Sequence, residues 1–506
     1  MTIINSIASW MIKKRIHQID LFRKYPLEVQ NDHFKQLIFS AKNTTWGKKY
    51  NYNSINNADD FRHRVPLQDY ESIKPFIERA MKGEQNLLWP GEVKWFAKSS
   101  GTTSDKSKFI PVTEESLEEC HYKCGKDMLS IYCNNYEDTQ IFSGKSLMMG
   151  GSHQINEMNK ASYYGDLSAV LMENMPLWAQ FLRTPDRSIA LMDNWEEKIE
   201  KMVKATMNED ITNIAGVPSW TLVLLKRILE ESGKKNLLEV WPNLELFMHG
   251  GVSFTPYKEQ FQKLIPSSKM NYLETYNASE GFFGISDIPG SDDILLMLDY
   301  GIYYEFIPMS EFGQKDAKAL TLEEIRLDEN YALVISTNSG LWRYIIGDTI
   351  KFTSLNPFRI KITGRTKHFI NAFGEELMIE NAEKALSIAC EKTSALIKDY
   401  TAGPIFMNEG NTGGHQWLIE FEKEPEDLEK FTTYLDNALK AVNSDYEAKR
   451  FNDFVLKMPL VYKMEQNTFY NWLKSKDKLG GQNKVPRLAN DRKYIEEILQ
   501  LNNEKV

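Results

Sequence analysis

Short strand-like runs alternate with helical patterns along most of this 506-residue chain, and this order favours the α/β fold class. In NLELFMHGG, alternating apolar residues precede a glycine pair, which predicts a strand ending at Gly250 and Gly251. KMNYLETYNASEG similarly predicts a strand that runs into a polar turn. Because open α/β sheets bind ligands at strand ends, we expect chemistry in the loops that follow these two strands.

The pattern changes in the stretch YALVISTNSGLWRYIIGDTIKFT, which predicts an antiparallel meander. Its strands are expected to be separated by turns at 338–340 and at Gly347 and Asp348. After KITGRTKHF the chain returns to mixed helices and strands. Helical spacing predicts one helix through Ile379, Ala382, Leu386 and Ala389, and another through Leu428, Phe431, Leu435 and Leu439.

The segment from Gly364 to Lys367 places a glycine beside charged residues, between two patterned blocks. This composition suits a hinge, although an ordinary hairpin turn has the same signature. We therefore expect a large N-terminal α/β domain with mixed sheets over residues 1–365. A smaller α+β C-terminal domain is expected over residues 366–506.

Charge and composition exclude several classes of protein. The formal net charge of −9 gives no general electrostatic footprint for nucleic acid or for an anionic membrane. The N-terminal stretch lacks the order of a signal peptide and predicts an amphipathic helix that packs on the body. The longest uncharged run, 211–225, is too short to span a bilayer. We expect a soluble, cytoplasmic monomer.

The four cysteines are too few to cross-link a chain of this length, which fits a reducing cytosol. Cys120 and Cys124 share a helical face, with His121 beside them. A metal site is one interpretation of this cluster, although no second ligand pair follows at a zinc-like spacing. Small buried thiols are the other interpretation.

A hydroxyl-rich loop follows a strand-like run in WFAKSSGTTSDKSKFIPVT. Backbone N–H groups near a glycine, helped by hydroxyls and a lysine, can point together at an anion. The loop is not a Walker A motif, since no second glycine precedes Lys106 or Lys108. An ordinary solvated turn has a similar composition, so both interpretations stand at this point.

TYNASEG places Tyr276, Ser279 and Glu280 together after a strand. A carboxylate could hold Mg²⁺ beside phosphates, and the tyrosine ring could stack on a base. The alternative is a surface turn with Glu280 in water or at a helix start.

Two later segments carry further charged candidates. In GLWRYIIGDT, Asp348 could accept both hydroxyls of a ribose, or it could cap its own backbone in a hairpin turn. Arg343 and Arg365 could each meet phosphate or ribose, or pair with surface carboxylates. In LGGQNKVPRLANDRKY, Lys484 could bring a positive charge to a reacting carboxylate or phosphate.

The order of these motifs is specific, although each alone is weak: the hydroxyl-rich loop, HGGVSFTP, TYNASE, RYIIGD, GRTKHFINAFGEEL and the late lysine. From about Trp95 to Arg487 the sequence resembles acyl-adenylate-forming enzymes. It most closely resembles the auxin-responsive Gretchen Hagen family of acyl acid amido synthetases. GRTKHFINAFGEEL is nearer to the general adenylate-forming pattern than to the plant members of that family.

The resemblance implies a fold, a division into two domains and a set of site residues. It implies the adenylate-forming enzyme fold, with a large domain that binds ATP and the acyl acid and a small mobile C-terminal domain. The implied catalytic residues are Lys484, Glu280 and Lys108, and Glu280 is also the implied Mg²⁺ ligand. The implied nucleotide-binding residues are Ser99, Ser100, Gly101, Thr102, Thr103, Gly250, Gly251, Thr275, Tyr276, Asn277, Ala278, Ser279, Asp348 and Arg365.

The resemblance also implies a reaction that uses ATP and Mg²⁺. A carboxylic acid attacks ATP to give an acyl adenylate and pyrophosphate, and the amine of an amino acid then takes the acyl group. The acid pocket is expected in the helix after Thr113 and in the segment 148–171, with His153 as a candidate contact. One alternative is a thioester-forming ligase, such as an acyl-CoA ligase, with the same first step. Another is a nucleotide-binding regulatory protein that senses an acid without turnover.

Overall fold

The computed structural model describes most of the chain, namely residues 3–99, 108–151, 156–159, 162–175, 180, 182–192, 194–251, 254, 257–314, 317–366, 370, 372, 375, 377–406, 413–443, 446–447, 450, 456–476, 478, 484–489 and 491–503. Helices and strands alternate through this part of the chain, as the α/β pattern predicts. None of the helices in these ranges is long and apolar enough to cross a membrane.

The helices are numbered in chain order. Those before the first strand are α1 Ile3–Lys13, α2 Ile16–Lys24, α3 Pro26–Ala41, α4 Thr45–Lys49, α5 Ala58–Arg64 and α6 Tyr70–Met81. The next group comprises α7 Glu114–Ser116, α8 Lys123–Asn135, α9 Leu167–Glu173, α10 Arg187–Ala190, α11 Trp195–Thr206, α12 Pro218–Ser232 and α13 Lys258–Leu264. A π-helical segment, Leu117–Tyr122, joins α7 to α8. The last four are α14 Ile379–Thr393, α15 Leu428–Val442, α16 Thr468–Ser475 and α17 Lys493–Asn503.

The strands form sheets of four, eleven and three strands within the described ranges. The first nine are β1 Trp95–Ser99, β2 Lys108–Val112, β3 Lys145–Met148, β4 Asn156–Asn159, β5 Ser162–Gly165, β6 Arg183–Thr184, β7 Ile211–Gly216, β8 Leu246–Gly250 and β9 Asn271–Ala278. The others are β10 Gly281–Ile285, β11 Ile294–Leu296, β12 Ile302–Pro308, β13 Asn330–Thr337, β14 Tyr344–Leu355, β15 Phe358–Arg365, β16 Leu396–Ile405, β17 Gly414–Lys423 and β18 Leu460–Met464.

The eleven-stranded sheet has a parallel half and an antiparallel half, in the order β12-β13-β14-β15-β11-β10-β9-β8-β7-β3-β6. Strands β9, β8, β7, β3 and β6 run parallel, whereas the remaining neighbours pair antiparallel. The carboxyl ends of β3, β7 and β8 therefore meet at one edge. The antiparallel meander through β13, β14 and β15 confirms the sequence prediction.

Strand β8 is buried on both faces, as a central parallel strand must be. Leu246 and Met248 pack with Leu273 in one apolar cluster. Phe247, on the opposite face, stacks on Phe261 with ring centroids 4.7 Å apart. Both faces of this strand therefore contact a core, and its end at Gly250 confirms the predicted position.

The predicted turn at Gly347 and Asp348 is wrong. Strand β14 runs through both residues, and its ladder with β13 shifts register between Ala332 and Val334. Gly347 has φ +95, a left-handed conformation that glycine adopts without a Cβ clash. A β-bulge therefore takes the place of the turn and bends the strand without ending it.

The C-terminal segment has its own small core. The predicted helices are present as α14 and α15, and both pack on the sheet of β16, β17 and β18. At the other end of the chain, α2 buries Ile19 and Phe22, and Arg15 pairs with buried Asp127 of α8. The N-terminal stretch therefore packs on the body as the sequence predicts, but it forms two helices, α1 and α2, where the sequence predicted one.

Candidate functional site

A cavity of about 1270 Å³ opens at the edge where the parallel strands end. Its wall includes the ends of β3, β7, β8 and β9, parts of β14, β15 and α14, and the segment from Lys484 to Arg487. Single ligands usually occupy about 300–1,000 Å³, so this volume can take more than one substrate at once. The cavity also lies at the strand ends, where the sequence predicts ligand binding.

The predicted site residues with described side chains all line this cavity: Lys108, Gly250, Gly251, Thr275, Tyr276, Asn277, Ala278, Ser279, Glu280, Asp348, Arg365 and Lys484. They come from strands β2, β8, β9, β14 and β15 and from the C-terminal segment. Ser99 ends β1, but its side chain and residues 100–103 lie outside the described part of the chain, as does His153. The structure therefore brings together residues that are far apart in sequence.

Asp348 is the centre of one hydrogen-bonded group. Its Oδ1 accepts a hydrogen bond from Arg365 Nε at 2.6 Å, and its Oδ2 accepts one from the Tyr276 hydroxyl at 2.9 Å. Asp348 and Arg365 are cross-strand partners of β14 and β15, which fixes their approach. The Asp348 charge raises the pKa of Arg365, and burial raises that of Tyr276. A carboxylate offers about four lone-pair positions, so two remain for a ligand.

The glycine pair after β8 lets backbone and side chains approach closely. A Cβ on Gly250 would lie 2.5 Å from Thr275 Oγ1, so a larger residue would displace strand β9. Gly251 has φ +82, and a Cβ there would lie 3.2 Å from Lys484 Nζ. Both positions therefore require glycine, for space at Gly250 and for backbone conformation at Gly251.

Lys484 lines the cavity beside Gly251, and no hydrogen bond or ion pair joins its Nζ to another described residue. Desolvation by the surrounding protein lowers the pKa of Lys484 to about 8, although part of the residue remains exposed. Arg365 and Arg487 lower that pKa further, and Asp348 opposes them. A lysine this close to Arg365 and Arg487 favours the binding of an anion.

Glu280 follows β9 and is 8% exposed. Burial raises the pKa of its carboxyl, and Lys108 acts in the opposite direction. The described residues contain no group of three or more histidines, cysteines and carboxylates suited to a metal. Of the described residues, Glu280 could hold Mg²⁺ together with oxygen atoms of a ligand and water, which is an arrangement that magnesium commonly adopts.

One part of the cavity is apolar and rich in methionine. It is lined by Tyr122, Met128, Leu129, Phe142, Met148, Met149, Leu171, Met172, Met175 and Trp220. These residues include both segments expected to hold the acid, and methionine side chains adapt readily to irregular shapes. His121, in the π-helical segment, also lines the cavity, and burial lowers its pKa to about 4, which keeps the ring neutral.

Two other candidates from the sequence, Arg343 and the pair of Cys120 and Cys124, are buried. Arg343 does not line the cavity, because its guanidinium binds Glu305 and two backbone carbonyls inside the body. A phosphate or ribose in the cavity is therefore out of its reach, and its partner Glu305 is buried, so both interpretations of this arginine are wrong. Cys120 and Cys124 are buried, and burial raises their thiol pKa values.

Several charged residues of the cavity are not among the site residues predicted from the sequence. Glu274, Asp292, Lys361, Glu383 and Arg487 all line it. Arg487 lies three residues after Lys484, and Glu274 immediately precedes the TYNASE motif. Their proximity to recognised motifs is the one signal that could have drawn attention to them.

The family comparisons cover most of the chain. Residues 15–270 match the GH3 family N-terminal domain, residues 295–365 its central domain and residues 380–493 its C-terminal domain. The indole-3-acetic acid-amido synthetase GH3.4 of Arabidopsis thaliana is 23% identical over 410 residues, covering 68% of this chain and 67% of the relative. The 4-substituted benzoates-glutamate ligase GH3.12 of the same plant is 22% identical, covering 86% of this chain and 88% of the relative.

Solved structures match the fold over nearly its full length. The GH3.15 acyl acid amido synthetase superimposes with a TM-score of 0.79 at 17% identity, covering 97% of this chain and 96% of the other. A 2-hydroxyisobutyryl-CoA ligase in complex with 2-HIB-AMP gives a TM-score of 0.55 at 12% identity, covering 97% and 91%. The fold is thus that of the adenylate-forming enzymes, and this chain belongs to the GH3 family, in which the similar proteins named above are amido synthetases and ligases.

Proposed function

We propose that this protein is an ATP-dependent acyl acid amido synthetase. It converts a carboxylic acid to an acyl adenylate with release of pyrophosphate, then transfers the acyl group to the amine of an amino acid with release of AMP. The observation that carries the proposal is the position of Lys484, which reaches the cavity of Asp348 and Glu280 from the far end of the chain. An ammonium group at that point suits a reaction that joins two anions.

The polar side of the cavity is suited to bind the nucleotide. Asp348, held by Arg365 and Tyr276, keeps acceptor capacity for two ribose hydroxyls. Lys108 lies near Glu280, where it can meet the phosphates together with the hydroxyl-rich loop of Ser99, Ser100, Gly101, Thr102 and Thr103. The neighbouring backbone of Gly250, Gly251, Thr275, Asn277, Ala278 and Ser279 completes this side of the wall.

Mg²⁺ would be held by Glu280 together with phosphate oxygens and water. When bound, it would neutralise charge on the phosphates and orient the leaving pyrophosphate. The chain's own contribution is the charge of Lys484. As the carboxylate of the acid attacks the α-phosphate, negative charge develops there, and the Lys484 ammonium beside Gly251 would stabilise it.

The acid occupies the methionine-rich part of the cavity. Its apolar and aromatic wall suits a small acid with an apolar or aromatic body, and the relatives named for indole-3-acetic acid and 4-substituted benzoates support this class. We extend the same proposal to the organisation of the chain: a mobile small domain over residues 366–506 on a large domain over residues 1–365, as a cytoplasmic monomer. Closure of the small domain would exclude water from the reactive mixed anhydride.

The first experiment combines the protein with ATP, Mg²⁺, a panel of aromatic acids and a panel of amino acids. The proposal predicts AMP and an amide, with pyrophosphate release that requires the acid. Coenzyme A in place of the amino acid separates the alternatives, because a thioester product would identify an acyl-CoA ligase. Nucleotide binding without acid-dependent pyrophosphate release would instead identify a regulatory protein.

A further inference from the structure

A charged compartment of the cavity has no part in the proposed adenylation chemistry. It lies between strand β9 and helix α14, and we call it the acceptor compartment. Its wall contains three carboxylates and two ammonium groups, contributed by Glu274, Asp292, Glu383, Lys361 and Lys384. This composition differs from both the methionine-rich part and the nucleotide side, which indicates a third ligand of its own.

Glu274 and His249 are neighbours across strands β9 and β8. The two residues are register partners in a parallel pair, so their side chains lie on the same face of the sheet. Thr275 Oγ1 donates a hydrogen bond of 3.0 Å to the His249 carbonyl, which fixes the two strands at this point. Gly250 and Gly251 follow His249 directly, so His249 lies two residues before the glycine that approaches Lys484.

His249 is a buried ring without a hydrogen-bond partner among the described residues. It is 2% exposed, it lines the cavity, and neither ring nitrogen has a hydrogen-bond partner in the described part of the chain. Burial, with Lys258 nearby, lowers its pKa to about 3, so the ring is neutral and one nitrogen can accept a hydrogen bond. Its stacking on Phe254, at 4.2 Å between centroids, holds the orientation. Buried polar groups normally have hydrogen-bond partners, so this ring favours the binding of a ligand that donates an N–H group to it.

The Glu274 carboxylate is half-buried and makes no hydrogen bond or ion pair with a described residue. The charged groups that face it are Asp292 before β11, Glu383 on α14 and Lys361 on β15. Burial raises its pKa to about 7, the two carboxylates add to that shift, and Lys361 opposes it. A carboxylate of this kind is well suited to take a proton from a bound group near neutral pH.

We propose that Glu274 is the general base of acyl transfer, and that the acceptor compartment binds the ammonium form of an amino acid. This inference rests on the proposed function. Asp292 and Glu383 attract the ammonium group, Lys361 and Lys384 match the carboxylate of the same amino acid, and His249 accepts an N–H hydrogen bond. An ammonium ion has no lone pair, so it must lose a proton before it can attack.

Acyl transfer starts with a proton transfer from the amino acid. One proton of the ammonium group moves to a Glu274 oxygen, and the freed nitrogen lone pair attacks the carbonyl carbon of the acyl adenylate. A carbon–nitrogen bond forms, and the bond from that carbon to the phosphate oxygen breaks. The electron pair of the broken bond leaves with AMP. A second proton is lost from the nitrogen to water as the amide forms.

The test compares Glu274→Gln with Glu259→Gln, a matched change on the exposed surface of α13, where Glu259 pairs with Lys263. Two reactions are measured separately: acid-dependent exchange of pyrophosphate into ATP, and single-turnover amide formation. We expect E274Q to keep exchange at the wild-type rate and to lose about 10²-fold in transfer to an amino acid. E259Q should match the wild type in both reactions. Glu274→Asp, which retains a carboxylate, should recover part of the transfer rate.

Hydroxylamine and the pH profile separate a base from a merely structural residue. Hydroxylamine is largely neutral near pH 7 and needs no base before attack, so E274Q should use it within about threefold of the wild-type rate.

The rate of transfer to an amino acid by the wild type should rise with pH through about 7, and the pH profile of E274Q should lack that rise. Transfer to the amino acid by E274Q at the wild-type rate, or equal loss with both acceptors, would overturn the inference. Absence of pyrophosphate exchange in the wild type would instead overturn the proposed function, and this inference with it.

Discussion

Arg343 immediately precedes β14 and Arg365 ends the neighbouring strand β15, yet the surroundings of the two arginines differ completely. Arg343 is 4% exposed, and it donates to both oxygens of Glu305 and to two backbone carbonyls. Arg365 donates to Asp348 at 2.6 Å on the wall of a cavity that also contains Lys484. The first ion pair is enclosed by protein, and its arginine joins strand β12 to the backbone around α5. The second keeps polar capacity toward the cavity, which is the property that a binding site needs.

Removing the enclosed arginine should have the largest effect. Arg343→Met leaves the Glu305 carboxylate buried without its cation, and burial already raises the pKa of that carboxyl. We expect the free energy of unfolding to fall by about 3–5 kcal/mol, measured by urea denaturation. The double change R343M with E305L removes both charges and should regain much of the loss. A loss below about 1 kcal/mol in R343M would show that the pair is not a scaffold element.

The pair at the cavity should respond in activity more than in stability. Asp348→Asn removes the charge, while the amide oxygen can still accept a hydrogen bond from Arg365. We expect kcat/KM for ATP in pyrophosphate exchange to fall about 10²-fold, which corresponds to about 2.7 kcal/mol. Unfolding free energy should change by about 1 kcal/mol or less. The reverse outcome, with stability lost and ATP use retained, would place this pair in the same class as the one at Arg343.

The alkaline limb of the pH profile tests the charge on Lys484. Because its pKa is lowered to about 8, the ammonium fraction falls as pH rises through that value. The rate of adenylation should therefore decline about tenfold for each further pH unit. Lys484→Arg retains a cation well above this range, so the variant should lose the decline even if it is slower overall. A wild-type rate that stays constant up to about pH 10 would contradict the assignment.

A surface pair provides the smallest effect. Lys226 and Glu422 form an ion pair whose side chains are 31% and 32% exposed. We expect Lys226→Ala to change the unfolding free energy by about 0.5 kcal/mol or less, because water and salt screen such pairs. Urea denaturation at low and high salt measures it. A loss comparable with that of R343M would remove the distinction between enclosed and exposed pairs.

Local pattern was sufficient to predict much of the fold. The end of β8 at Gly250, the strand before the TYNASE motif, the meander and the helices α14 and α15 all follow from periodicity and turn residues. The turn expected at Gly347 failed because a Gly-Asp pair also suits a β-bulge, and only pairing with β13 distinguishes the two. Pattern identifies positions that permit a bend, but tertiary pairing determines which bend forms.

The candidate site was predicted in part. The motifs located Asp348, Glu280 and Lys484, because each lies in a short segment of characteristic residues. Glu274 and His249 were missed as site residues, since their chemistry depends on burial and on the register of two strands that are separated in sequence. The role of Arg343 depended likewise on the distant Glu305. Such long-range partners leave no local signal in one sequence.

The central claim is that Lys484 supplies the charge for adenylation. Its most direct test is acid-dependent pyrophosphate exchange by Lys484→Ala, beside Lys463→Ala, a control at an exposed lysine that pairs with Glu424. We predict that K484A loses at least about 10²-fold in the exchange rate while its affinity for ATP changes by less than about threefold. K463A should match the wild type. Exchange by K484A at the wild-type rate would contradict the claim.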